Sequence, residues 1–317
     1  MARKFLALAL IGSSFVAGTA TWIAAQDAQQ SDDTIIRRVV DMVQLNVAVT
    51  DKQGKYVTGL RPEDFVINED GINQKLASFE AGNSGPRDVS GAPAPAAAPQ
   101  PRGPAAPAPS MPLLSPRSAP AVQENPITGA KVFVLFDTSN YMYRAGGFVL
   151  AQDAISDFIR SMDGPERIAF YSYSRDFTRA AQLTPDRGEV LKAVRSTTNG
   201  SDSALYNALL LTLRDASQFT GKRAVVVFSN GPDNASMVPP ENVAELAQSL
   251  GVPIYMVSTR EARLDPISTA VFERMSATTG GRAFFARNWT EETKAFEAVR
   301  DDLANLYSLS YYPVPNP

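Results

Sequence analysis

Three short stretches carry oxygen-bearing side chains of the kind that could act together. They are Asp137-Thr138-Ser139-Asn140-Tyr141, Gly200-Ser201-Asp202-Ser203 and Ser229-Asn230-Gly231-Pro232-Asp233. An acid, hydroxyls and an amide oxygen drawn from separate loops suit a hard divalent cation such as Mg²⁺. That ion takes few protein oxygens, keeps its waters and leaves a position for a ligand's carboxylate. Asp137, Ser139, Ser203 and Asn230 are the candidate metal residues, with Asp233 a further candidate from the third stretch. Each has a structural alternative. Asp137 can form an Asx-turn, Ser203 can cap a following helix, and Asn230-Gly231 is a common turn pair.

Other chemistries are excluded by composition. The 317 residues contain no histidine and no cysteine, which removes disulfides, thiol nucleophiles, soft metal sites and every histidine-dependent triad. A formal net charge of −3, with no dense basic stretch, argues against nucleic acid as a partner. No glycine-rich phosphate cradle follows a strand, and no Gly-x-Ser-x-Gly elbow occurs. Phe136-Asp137-Thr138-Ser139 lacks the second aspartate of an Asp-x-Asp phosphatase loop. The chain is therefore expected not to be an enzyme. An Asp137-dependent hydrolase is the remote alternative.

The elements that must position these residues follow from periodicity. Val132–Phe136 is a continuous apolar run suited to a strand buried on both faces. Arg223–Ser229, with Ala-Val-Val-Val-Phe at its centre, and Ile254–Ser258 repeat that pattern, and helical segments lie between them. Arg167–Ser172 reads as another strand, with 177–183 its edge or hairpin partner. The expected fold is α/β, a doubly wound and mostly parallel sheet with helices on both faces. In such a sheet, loops leaving the carboxyl ends of the strands form the binding crevice. All three polar stretches fall on such loops. Tyr307–Tyr312 is expected to complete the alternation.

Four regions are expected. Residues 1–25 join Arg3 and Lys4 to an uncharged stretch ending in Ile23-Ala24-Ala25, the form of a secretory signal peptide. The protein is accordingly expected to be exported, to the periplasm, cell envelope or medium. A membrane contact would arise only through this segment if it stayed uncleaved. Residues 39–82 form a small β unit. In it Val43, Leu45, Val47 and Val49 alternate with polar or small residues, and Glu69-Asp70-Gly71 marks a hairpin. About three strands are marginal alone, so the unit needs a surface, and the closing segment at 307–312 is the expected one. Residues 83–126 hold 12 of the 23 prolines and read as an extended linker. Residues 127–313 carry the α/β domain.

The polar loops resemble the von Willebrand factor A domain and its metal-ion-dependent adhesion site. Asp137 and Ser139 match the start of that family's Asp-x-Ser-x-Ser loop, and Ser203 stands for its threonine. Tyr141 and Asn230 depart from it, replacing a serine and an aspartate. Flanking motifs are similar to the acidobacterial-type VWFA-related proteins: Val57-Thr-Gly-Leu-Arg-Pro-Glu-Asp-Phe65, Ala204-Leu-Tyr-Asn-Ala208 and Tyr307-Ser-Leu-Ser-Tyr-Tyr-Pro313. The resemblance implies an adhesion-type module binding a protein ligand at the crevice, with a degenerate metal site. A structural scaffold of the cell envelope without a working metal site is the alternative.

Overall fold

The computed structural model describes residues 42–82, 87–89, 129–143, 147–162, 164, 166–287 and 289–314. The leader expected over 1–25 lies outside them, as does the linker apart from 87–89. Alternating Val43, Leu45 and Val47 form β1 (Val43–Ala48). Asp70 and Gly71, with φ of 51° and 81°, turn β2 (Ile67–Glu69) into β3 (Ile72–Gln74). Two successive positive φ values give the hairpin geometry that matches strand twist. β4 (Leu76–Ala81) follows, and β5 (Arg87–Asp88) pairs antiparallel with it, so the first residues of the expected linker extend the small sheet.

The α/β part starts at β6 (Lys131–Asp137), which is buried at every position. It continues through α1 (Asn140–Tyr143), α2 (Gly147–Ser161), β7 (Arg167–Tyr173), β8 (Phe177–Thr184), α3 (Arg187–Arg195) and α4 (Leu205–Ala216). Then come β9 (Arg223–Phe228), α5 (Pro240–Leu250), β10 (Ile254–Thr259), α6 (Pro266–Thr279), β11 (Ala283–Ala286), α7 (Trp289–Asn305) and β12 (Leu306–Tyr311). Local signals set several ends. Asp186 and Asp265 accept from the first backbone N–H groups of α3 and α6, and Gly251 and Gly280 close α5 and α6 in the left-handed region.

The six-stranded sheet has the order β11-β10-β9-β6-β7-β8, parallel except for the antiparallel edge β8. Side chains of β6 alternate between two cores. Val132, Val134 and Phe136 meet residues of α2, α3 and α7, whereas Phe133 and Leu135 meet residues of α4, α5 and α6. The doubly wound fold is the one expected.

The closing strand departs from expectation. β12 does not join the parallel sheet; it is central to a second sheet, β1-β12-β4-β5, antiparallel to both neighbours. The leading strands therefore dock on the closing segment as expected, but that segment belongs to their sheet. Leu309 and Tyr307 share an apolar cluster there with Phe79, Phe65 and Leu45. Leu306 instead faces the α/β core, because α7 feeds β12 directly. The described residues all fall within one compact unit. Among the described residues no helix is long and apolar enough to cross a membrane.

Candidate functional site

Parallel pairing brings the strand ends level: Asp137 of β6 lies opposite Tyr173 of β7, and Phe136 opposite Phe228 of β9. The loops that follow are then stitched together. Gly200 N–H donates to Thr138 O at 2.7 Å, and Asn140 N–H donates to Ser201 O at 2.9 Å. Ser203 N–H donates to Asn234 Oδ1 at 2.8 Å, while Ser203 O accepts from the N–H groups of Asn234 and Ala235. The three stretches picked out by composition meet at the carboxyl end of the sheet.

Asp137 is fully buried. Its Oδ1 accepts from Ser139 N–H at 2.8 Å, and its Oδ2 accepts from Ser229 Oγ at 2.7 Å. Burial pushes its carboxyl above the ordinary range, opposed by the hydrogen-bonding groups of Ser139, Ser229 and Tyr173. Burial, and then the charge of Asp137, hold the Tyr173 phenol well above its usual value. Ser203 reaches the cluster beside Tyr173. The Oγ atoms of Ser139 and Ser203 and the Tyr173 hydroxyl are buried and complete no hydrogen bond. Three hydroxyls that complete no hydrogen bond of good geometry thus lie around one desolvated carboxylate.

The other two candidates are turned to backbone. Asn230 Oδ1 accepts from Thr259 N–H at 2.6 Å, tying the third loop to the end of β10. Asp233 Oδ2 accepts from Tyr206 N–H at 3.0 Å, and its Oδ1 accepts from Ser236 N–H at 2.8 Å and Ala235 N–H at 3.2 Å. Asp233 therefore does the capping for α4 that Ser203 offers on sequence grounds. The helix's own N-cap position, Ala204, carries only a methyl and accepts nothing.

Ser229 and Tyr173 were not singled out by sequence reasoning. Ser229 was legible in principle as the first polar residue beyond a buried strand. Tyr173 required the β6–β7 register, because nothing in its local sequence separates it from an ordinary core tyrosine. A polar depression of about 360 Å³ opens beside the cluster, lined in part by Thr138, Tyr173, Asp176, Asn199 and Gly200.

The hydroxyls of Ser139 and Ser203 fit a hard cation in donor type. The charge does not follow, because Asp137 is the one carboxylate in the cluster. Among the described residues no group of three or more acidic residues is gathered to hold a metal.

A match to a family model agrees with the fold. No curated protein matches the chain. Similar solved structures include an aerotolerance-related membrane protein from Bacteroides fragilis, at 17% identity and a TM-score of 0.47, covering 55% of this chain and 98% of that one. A von Willebrand factor type A protein from Catenulispora acidiphila is 14% identical with a TM-score of 0.46, covering 54% of this chain and 42% of that one. The von Willebrand factor domain of a type V pili tip protein from Porphyromonas gingivalis is 12% identical with a TM-score of 0.45, covering 55% and 94%. The model of the von Willebrand factor type A domain matches residues 131–298, just over half of the chain, from the start of β6 into α7. The protein belongs to the von Willebrand factor type A domain family.

Proposed function

We propose that the protein is an exported interaction module that binds a protein ligand at the carboxyl end of its parallel sheet, and that it works by binding rather than catalysis. The family supports an interaction role, and the observation that carries the site is an exposed apolar rim. Met237, Leu264 and Ile267 are 90%, 83% and 77% exposed, and all lie on segments that leave the end of the sheet where Asp137 sits. Exposed apolar side chains mark an interface where they act as one patch, which the paired substitutions Met237→Asp and Ile267→Asp test. Export rests on the form of residues 1–25.

The metal site in this reading is degenerate. Asp137, Ser139 and Ser203 supply oxygens, but Asn230 brings no charge and its amide oxygen is engaged by Thr259. A unit charge pair at 4 Å is worth about 4 kcal/mol at an effective dielectric near 20, so one missing carboxylate weakens a divalent cation strongly. Millimolar Mg²⁺ or Mn²⁺ should barely raise the melting temperature of the wild type. Asn230→Asp with Tyr141→Ser should restore binding. At 100 times the dissociation constant the gain is about 2.7 kcal/mol, or roughly 5–11 °C at about 2–4 °C per kcal/mol. A wild type that already shifts by several degrees would show a working metal site. For the rim, capture of a partner from native envelope extract should survive chelator and be lost in Met237→Asp with Ile267→Asp. Capture unchanged by those substitutions would move the interface elsewhere.

A further inference from the structure

Gly231 needs no unusual backbone, since it is not among the glycines with positive φ. What it lacks is room. A Cβ placed on it would fall 2.5 Å from Cδ2 and 2.6 Å from Cβ of Tyr141, and closer still to Cγ. The Tyr141 side chain therefore rests directly on the backbone of the third loop. Tyr141 begins its path on the first loop, four residues beyond Asp137, and Gly231 lies two residues beyond Ser229, which holds Asp137 Oδ2. The contact joins the first and third loops, each of which also reaches Asp137, through Ser139 and Ser229.

In the cluster, Asp137, Ser139 and Ser203 are each 0% exposed, and Asn230 is 6% exposed. The hydroxyls of Ser139, Ser203 and Tyr173 are sealed in without partners. Buried polar atoms left unpaired are costly, so a cluster of them points to a species that enters and satisfies them. We propose that Tyr141 and Gly231 form a latch that governs cation entry to the Asp137 cluster. With the ring seated on Gly231 the loops are closed and the hydroxyls are hidden. When the ring leaves, the same oxygens open to a hydrated hard cation and to a carboxylate from a partner. The Tyr141 ring alone holds the closed state, so one side chain controls occupancy. The apparent affinity for a cation falls by the fraction of molecules in the open form. This inference rests on reading the cluster as a hard-cation site.

Two kinds of measurement separate the latch from that reading. The first needs no cation. Gly231→Ala should lower the melting temperature of the wild type by several degrees. In a Tyr141→Gly background it should do almost nothing, because every atom the new methyl meets at close range is gone. Additive effects would overturn the latch. The second is Mn²⁺ titration followed by the paramagnetic resonance of the free ion. Gly231→Ala and Tyr141→Gly each leave Asp137, Ser139, Ser203 and Asn230 in place, and each should tighten Mn²⁺ about tenfold over the wild type. Tyr141→Phe keeps the ring and should keep the wild-type affinity; tightening there would assign the effect to the hydroxyl and overturn the latch. Equal Mn²⁺ affinity in the wild type and all variants would also overturn it. Coupled melting effects with no Mn²⁺ bound by any variant, even after Asn230→Asp is added, would overturn the cation reading and the gating with it, while leaving the loop contact standing.

Discussion

The two ends of the parallel sheet are both buried and both charged, yet opposite charges meet at one end and not at the other. At the amino end the small sheet is fastened to the α/β part. Gln44 Nε2 donates to Gly221 O at 2.7 Å and to Ser308 Oγ at 2.8 Å, and Asn46 Nδ2 donates to Gly251 O. Arg223 donates to Leu250 O, Phe219 O and Ala216 O and to Gln44 Oε1, so its charge sits on the carbonyl ends of α4 and α5. Glu80 lies 3.7 Å from Lys222, with both side chains at most 3% exposed. At the carboxyl end Asp137 faces no cation, and three hydroxyls around it have no partner. One end spends its charges on holding two sheets together. Unpaired atoms occur at both ends, Asn46 Oδ1, Glu80 Oε1, Lys222 Nζ and Arg223 Nε among them at the amino end, so what sets the carboxyl end apart is a buried carboxylate with hydroxyl and backbone donors but no opposing charge.

The largest effects should therefore come from the amino end. Burial raises the pKa of Glu80, opposed by Lys222 and Lys131, and lowers that of Lys222, opposed by Glu80. Removing Lys222 leaves buried Glu80 with Lys131 alone, so the loss falls at or below the about 3–5 kcal/mol of a fully stranded charge. Lys222→Ala should lower the melting temperature by roughly 10 °C, at about 2–4 °C per kcal/mol. Glu80→Met with Lys222→Met should recover most of that loss. A mild effect of Lys222→Ala in thermal melts would mean that water reaches the junction and that the two ends differ less than their burial implies.

The contrast also marks what the sequence could reveal. The parallel sheet was legible because its strands are buried on both faces and read as unbroken apolar runs. The three polar loops were legible because each follows such a run. Alternation along β1 misled in one respect. Gln44 and Asn46, the polar positions, turn to the second domain layer and form its most specific hydrogen bonds, whereas the period alone assigns them to solvent. β12 was misplaced for a related reason: its side chains, all buried, resemble a parallel core strand, and only long-range pairing with β1 and β4 distinguishes it. The tie from Asn230 to Thr259, and Asp233 as the cap of α4, depend on loop geometry that residue types do not encode.

A smaller effect tests the carboxyl end directly. With its pKa raised by burial, folded Asp137 binds a proton over a window where the unfolded chain does not. That window runs from the ordinary carboxylate range up to the raised value, and stability falls across it as pH rises. Asp137→Asn, measured with chelator present, should melt a few degrees above the wild type at pH 8, with the difference shrinking toward pH 4. Glu80→Gln should do the reverse at pH 8, destabilising because it strands Lys222. A uniform loss in Asp137→Asn at every pH would mean that the donors around Asp137 already compensate its charge.

The smallest effect compares single hydroxyls. Ser203 Oγ has no partner, whereas Ser308 Oγ accepts from Gln44 Nε2. Both residues are at least nine-tenths buried, so water can reach neither freely. Deleting a bonded hydroxyl removes a net contribution of about 1 kcal/mol, whereas deleting an unpaired one relieves a desolvation cost. Ser308→Ala should therefore lower the melting temperature by about 2–4 °C. Ser203→Ala should leave it unchanged or raise it slightly. Differential scanning calorimetry of the two variants, run with and without chelator, decides the matter. If Ser203→Ala costs as much as Ser308→Ala in chelator, an ordered water satisfies that hydroxyl. If it does so only without chelator, a cation already occupies the cluster in the wild type and pairs the hydroxyls that chelator leaves open.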